Sequence, residues 1–318
     1  MKILKNILAI AISSLFVSSI AYADCGTSIS ANCSFTSNPI NQLYSWSGGS
    51  VTVNSGITVS NPSTYGNLFT VNSGQTVGDF TVQTGATVTA AYGINVNVSD
   101  VIFNNGGSIG NIVINGTLTE TYSNGVINNN AANSSINSIT VNSTGLITGI
   151  AAQEAGILNN TSNTSIGTIN NYGVIQGSSA IENSGGTIGT INNYATGVIA
   201  GYDYAGAGGP TPAYGSGIGV WSGTINIINN AGQILGDTGS ATAGINNQGT
   251  IGTINNTGNG VIQGGPGSYG INNGGTITNL NNAQGGTATH SAVGNALTLT
   301  GALPVNYNII ITSSSHFG

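Results

Sequence analysis

The chain of 318 residues has almost no positive charge: two lysines, Lys2 and Lys5, no arginine, and eight carboxylates, for a net charge of -6. A nucleic-acid surface needs a basic footprint to displace condensed counterions, and an anionic lipid headgroup calls for the same cations. A nucleic-acid partner is therefore excluded and an anionic-lipid partner disfavoured. Charged residues make up only 3% of the chain, whereas 39% are hydrophobic. Disorder goes with low hydrophobicity and high net charge, so this composition belongs to a chain that folds. Only two cysteines and two histidines are present, with no grouping that would bind a metal, and no cofactor is implied.

Long apolar runs are missing as well. The longest, residues 7–17, is shorter than the roughly 20 residues of a membrane span. It follows Lys2 and Lys5 and leads into Ala21-Tyr22-Ala23, which makes residues 1–23 a secretory signal peptide with an A-x-A cleavage site. Asp24 directly before Cys25 speaks against lipid attachment, which needs a small residue there. Cleavage removes both lysines, leaves no membrane span, and moves the net charge from -6 to -8. Cys25 and Cys33 then lie at the start of an exported chain, where an oxidising compartment favours a disulfide. That bridge would pin an N-terminal cap over residues 24–47.

What is present in quantity is repetition. Ser165-Ile-Gly-Thr-Ile-Asn-Asn171 returns as Thr187-Ile-Gly-Thr-Ile-Asn-Asn193, Thr224-Ile-Asn-Ile-Ile-Asn-Asn230, Thr250-Ile-Gly-Thr-Ile-Asn-Asn256 and Thr276-Ile-Thr-Asn-Leu-Asn-Asn282. Weaker copies begin at Thr76, Ser108 and Ser135. The first apolar positions, Val77, Ile109, Ile136, Ile166, Ile188, Ile225, Ile251 and Ile277, are separated by steps of 32, 27, 30, 22, 37, 26 and 26. An elastic period of this size is the signature of a solenoid. A second pattern, as in Gly173-Val-Ile-Gln-Gly177, and a third, as in Ala155-Gly-Ile-Leu-Asn-Asn160, follow within each repeat. Three short β-branched runs bounded by Gly or Asn are too short for helices and read as strands. The expected fold is all-β: a right-handed parallel β-helix over residues 48–311 with three strands per coil. Length over a period of about 26 gives about eleven coils. Asn-Asn pairs are expected at sharp corners, in the left-handed conformation that Asn tolerates, with their amides stacking from coil to coil.

The 37-residue step contains an insertion, residues 201–215, rich in Gly, Pro and Tyr. Its Tyr202, Asp203, Tyr204 and Tyr214 are candidate partner contacts, because long loops on rigid scaffolds often carry binding. The competing expectation is a solvated insertion without a partner. Catalytic groupings are sparse. The carboxylates stand singly, although Asp79 and Asp100 could meet by stacking, and His290 and His316 lie near the C-terminus without a G-x-S-x-G element. Thr-x-Thr pairs such as Thr87/Thr89 and Thr117/Thr119 resemble an ice-binding array, but none occurs between Thr121 and Thr276.

The signal peptide, the Asn/Gly-rich coils and the segment Gly301-Ala-Leu-Pro-Val-Asn-Tyr-Asn-Ile-Ile-Ile311 together resemble the passenger domain of bacterial autotransporters, the type V secreted proteins. The resemblance covers the mature chain. It implies a non-catalytic, adhesin-like protein at the cell surface or outside the cell, bound to a host or sibling-cell surface or to an extracellular glycan. It also implies a C-terminal transmembrane β-barrel, for which residues 312–318 leave no room. A truncated passenger or a separate translocator chain is the corresponding expectation, with periplasmic residence if no translocator acts. The alternatives are an inactive remnant and a β-helix enzyme acting on polysaccharide.

Overall fold

The structure, a computed structural model, describes residues 23–38, 42–61, 66–90, 99–121, 124–149, 154–202, 215–238, 242–282, 287–291, 297–299 and 316–317. Residues 203–214 of the insertion and residues 1–22 of the expected signal peptide lie outside them. Among the described residues there is no helix, and the strands form two parallel sheets of 21 and 10 strands. They are the coils of a parallel β-helix.

Three faces make up each coil. Face I carries the seven-residue pattern, as Ser108–Ile114, Ser135–Val141, Ser165–Asn171, residues 187–193, residues 224–230, Thr250–Asn256 and Thr276–Asn282. Face II carries the Gly-bounded pattern, as in Thr117–Glu120, Val174–Gly177 and Val261–Pro266. Face III carries the third, as in Gly125–Asn129, Ala155–Asn159 and Ile271–Asn273. Each Ile of the repeat stacks on its counterpart: Ile109 on Ile136, Ile166, Ile188, Ile225, Ile251 and Ile277 in turn. Period-2 alternation turns these residues inward, and all are buried. Face III adds one aliphatic column through Ile127, Ile157, Ile181, Ile218 and Ile245, and face II another through Leu118, Ile147, Ile175, Ile199 and Ile234.

The ten strands of face II stack coil on coil, and the regular part of the stack is about seven turns deep. Before Ser108, face I breaks into the short strands Thr76–Val77 and Phe80–Val82, and some turns exceed 26 residues: Val198 stacks on Gln233. At the N-terminal end the aliphatic columns give way to Phe35, Tyr44, Trp46, Phe69 and Phe80, all buried, with Tyr44 and Phe69 stacked at 5.0 Å between ring centroids. Burial, with the charge of Asp24 adding to it, pushes the Tyr44 phenol up to about 12. The Cys25–Cys33 disulfide is formed, with a Cα–Cα distance of 5.1 Å, and Cys33 stacks on Val51 in the first coil.

The Asn-Asn pairs differ from expectation. They sit inside strands with extended backbone, and the only non-glycine residues with positive φ among the described residues are Asn133 (69°) and Asn163 (64°). In each pair the first Asn points outward and the second inward. The inward set, Asn171, Asn193, Asn230, Asn256 and Asn282, forms a buried ladder in which each Nδ2 donates to the next Oδ1 at 2.7–2.9 Å. The same amides donate to carbonyls beyond the corner, such as Val198 O and Val261 O, so corner backbone is satisfied without solvent. The glycine that follows, Gly197 or Gly260, is required because a Cβ there would strike Asn193 Oδ1 or Asn256 Oδ1. A second buried ladder links Asn104, Asn129, Asn159 and Asn183 at the corner between faces III and I.

Candidate contact surface

The insertion leaves the stack between Val198–Gly201 and Ser216–Asn230. Its two ends are held on adjacent residues of the coil below: Tyr202 N donates to Gly177 O at 2.7 Å, and Gly215 N donates to Ser178 O. A Cβ on Gly201 would run into the Gly215 carbonyl, so the close approach of the two ends needs glycine. Of the four candidate contacts, Tyr202 is 54% exposed and thus available to a partner. Asp203, Tyr204 and Tyr214 lie outside the described residues.

Three residues further along the same strand pair, where Glu182 meets Gly219, stands a group that nothing in the sequence marks. Ser184 Oγ donates to Glu182 at 2.6 Å, and the Trp221 side chain also hydrogen-bonds to that carboxylate. Burial holds the Glu182 carboxyl above its ordinary value, and the two hydrogen bonds pull it partly back. Glu182 stacks on Gly219, which lies beside the indole: a Cβ there would sit at ordinary contact distance, 3.5 Å from Trp221 Nε1. A register shift after Asn183 brings Trp221 to this position, and such a shift has no sequence signal when the flanking repeat stays intact.

The outward side of face I is polar and uncharged along nearly its whole length. One column runs Thr76, Ser108, Ser135, Ser165, Thr187, Thr224, Thr250 and Thr276, in register from coil to coil. An outer Asn ladder runs beside it, with Nδ2 of Asn192, Asn229, Asn255 and Asn281 each donating to the Asn Oδ1 of the preceding coil at 2.7–2.9 Å. At the next corner Tyr172 and Tyr194 stack with ring centroids 4.0 Å apart and planes 4° from parallel. Tyr194 is 37% exposed, and its phenol is raised mainly by the hydrogen bond with Tyr172.

Stacking does not unite the other candidates. Asp79 belongs to face I, where its Oδ1 accepts from Asn111 N and Nδ2 at 2.8 and 3.0 Å. Asp100 precedes face III and is buried, with its carboxylate accepting from Gly125 N and Asn128 Nδ2. The two occupy different columns. On face II the pairs Thr87/Thr89 and Thr117/Thr119 do stack, over Thr58/Ser60, but the columns pass to Leu146, Val174, Val198 and Ala200 further along. Thr276 and Thr278 belong to face I, so the Thr-x-Thr pairs do not share one plane. His290 and His316 fall in neighbouring strands at the C-terminal end of face II. A cavity of about 420 Å³ nearby is lined by Gln233, Leu235, Val261 and Gln263 among others. No helix of the described residues is long and apolar enough to cross a membrane. No protein-family profile, curated protein or solved structure matches the chain.

Proposed function

We propose that the chain is an exported, non-catalytic protein of the autotransporter-passenger kind, a rigid rod that attaches a cell to a host, sibling-cell or environmental surface. The observation that carries this reading is the outward side of face I: a hydroxyl column in register over eight strands, from Thr76 to Thr276, and an amide column over five, from Asn170 to Asn281. Many equivalent weak contacts along a stiff support add up through high effective concentration. The insertion that starts at Tyr202 contributes a second, aromatic contact region, and the signal peptide supplies export. Passage of the outer membrane then relies on a β-barrel translocator.

Expression of the full chain with such a translocator in a non-adherent Gram-negative host tests the proposal. The expected outcome is digestion of the chain by proteinase K on intact cells, together with a gain in adherence. A chain that reaches the surface without any gain in adherence contradicts it.

A further inference from the structure

At the corner between faces III and I, two consecutive coils carry a longer connection than those that follow. Five residues separate Asn129 from Ser135 and Asn159 from Ser165, against three between Asn183 and Thr187 and two between Asn247 and Thr250, although all these residues share the same columns. Each long corner closes on itself: Ser134 N donates to Ala131 O at 3.0 Å, and Thr164 N donates to Thr161 O at 3.3 Å. The third residue of each turn is an asparagine at positive φ, Asn133 at 69° and Asn163 at 64°. The two turns lie one on the other, with Asn133 N donating to Asn163 O at 3.1 Å. Both asparagines are exposed, and neither side-chain amide is hydrogen-bonded among the described residues.

Asn133-Ser134-Ser135 and Asn163-Thr164-Ser165 both read Asn-x-Ser, the acceptor triplet of N-linked glycosylation. We propose that Asn133 and Asn163 are attachment sites for a glycan. The triplet alone decides little in a chain so rich in Asn, Ser and Thr; the fold does the selecting. Sugar transfer takes place at Nδ2, and in the triplets of Asn115, Asn142, Asn159, Asn160 and Asn255 that atom already donates, at 2.7–3.3 Å, to Val82 O or to the Oδ1 of a stacked asparagine. Asn32 is exposed, but the hydroxyl residue of its triplet, Ser34, is buried. Ser135 is partly exposed and Ser165 exposed, so only the two long corners offer a free amide together with a reachable hydroxyl residue among the described residues. In the transfer, Nδ2 bonds to C1 of the sugar as the bond from C1 to the diphosphate of a nucleotide-sugar donor breaks. The nucleoside diphosphate leaves with the bonding pair, and Nδ2 gives one proton to a base of the transferase. The attached sugar is bulky and solubilising, on a chain in which only 3% of residues are charged. The inference goes beyond attachment to a surface and does not depend on it.

The test incubates the purified, folded chain with uridine-diphosphate glucose and a soluble N-glycosyltransferase directed at Asn-x-Ser/Thr. Hexose additions are mapped by mass spectrometry of peptic peptides, because Lys2 and Lys5 are the only sites for trypsin. Synthetic peptides carrying the Asn142 and Asn163 triplets establish that the enzyme accepts both outside the fold. In the folded chain hexose is expected on Asn133 and Asn163 and not on Asn142, Asn159, Asn160 or Asn255. Ser165→Ala should abolish transfer to Asn163 while leaving Asn133 modified, and a β-rich circular dichroism spectrum separates loss of the acceptor from misfolding. A folded chain with both corners unmodified overturns the proposal, as does hexose spread equally over Asn142 and Asn255. The same map of the chain isolated from the cells that make it should show a glycan on these two asparagines, and peptides of unmodified mass covering both overturn the proposal as well. Neither measurement involves attachment, so either failure leaves the adherence experiment standing on its own.

Discussion

The buried ladder at the corner between faces III and I has one missing rung. Asn183 stacks on Val220, which stacks on Asn247, so a valine stands where the column above and below holds amides. The consequence is visible on both sides. Asn183 Nδ2 keeps its bonds to Gly186 O and Thr224 O, both 3.1 Å, but has no amide oxygen ahead of it, and Asn247 Oδ1 is buried without a hydrogen-bond partner. Val220→Asn places an amide in the geometry already used by Asn129, which bonds Asn159 Oδ1 at 2.9 Å and Ser165 O at 3.1 Å. The new hydrogen bond from Asn183 Nδ2 contributes about 1 kcal/mol, and the one that satisfies Asn247 Oδ1 relieves about 1–3 kcal/mol. Loss of the buried valine costs about 1.5–2 kcal/mol. The balance is a gain of about 0–2.5 kcal/mol, read as a thermal midpoint that holds or rises by a few degrees. The same residue placed in an aliphatic column must do the opposite. Ile251 is buried between Ile225 and Ile277, and Ile251→Asn loses about 2–3 kcal/mol of burial and strands an amide for about 1–3 kcal/mol more. Thermal unfolding of the two variants beside the wild type decides the matter. If Val220→Asn destabilises the chain as much as Ile251→Asn, ladder pairing is not what makes buried Asn tolerable here.

Further outcomes follow from the same geometry. Because burial holds the Glu182 carboxyl above its ordinary value, the folded chain binds that proton more tightly than the unfolded chain does. Its stabilising contribution is therefore complete below the unfolded carboxylate value, near pH 4.3, and is lost as pH rises from there through the raised folded value. Glu182→Gln should flatten that part of the curve of thermal midpoint against pH, and an unchanged curve would refute the assignment. Replacing Cys25 and Cys33 together by Ala should cost about 2.5 kcal/mol by loop entropy, and hydrogen exchange should show the loss concentrated in the first coils; uniform loss along the rod would contradict the capping role. The intact mass of the exported protein should begin at Asp24, and retention of Lys2 and Lys5 would refute signal cleavage.

Much of the fold was legible because a solenoid writes its packing into a one-dimensional period. The inward Ile positions, the three strands per coil and the stacking of Asn amides all come from repeated patterns, and the coordinates put each Ile on its counterpart. The role of the Asn pairs was misjudged at the backbone: Asn can adopt positive φ, but here Asn171 and its equivalents turn corners with side-chain bonds to the backbone, and glycine absorbs the crowding. The aromatic N-terminal core was illegible because Phe35 and Tyr44 fall outside the repeat, while Phe80 takes the place of an aliphatic residue in it, stacking on Ile112. Glu182 and Trp221 meet only through a register shift.

If attachment is distributed along the rod, removing a turn must weaken it in proportion. Asn230 and Asn256 occupy equivalent positions in consecutive coils, so excising residues 231–256 joins Asn230 to Thr257 and keeps every column in register. The decisive measurement is the detachment force of beads coated at equal density with the full chain, with the chain lacking residues 231–256, and with a chain carrying that turn twice. A graded series, weakest for the shortened rod and strongest for the lengthened one, is the predicted result. Equal detachment force for all three would contradict an adhesive role for the repeated faces.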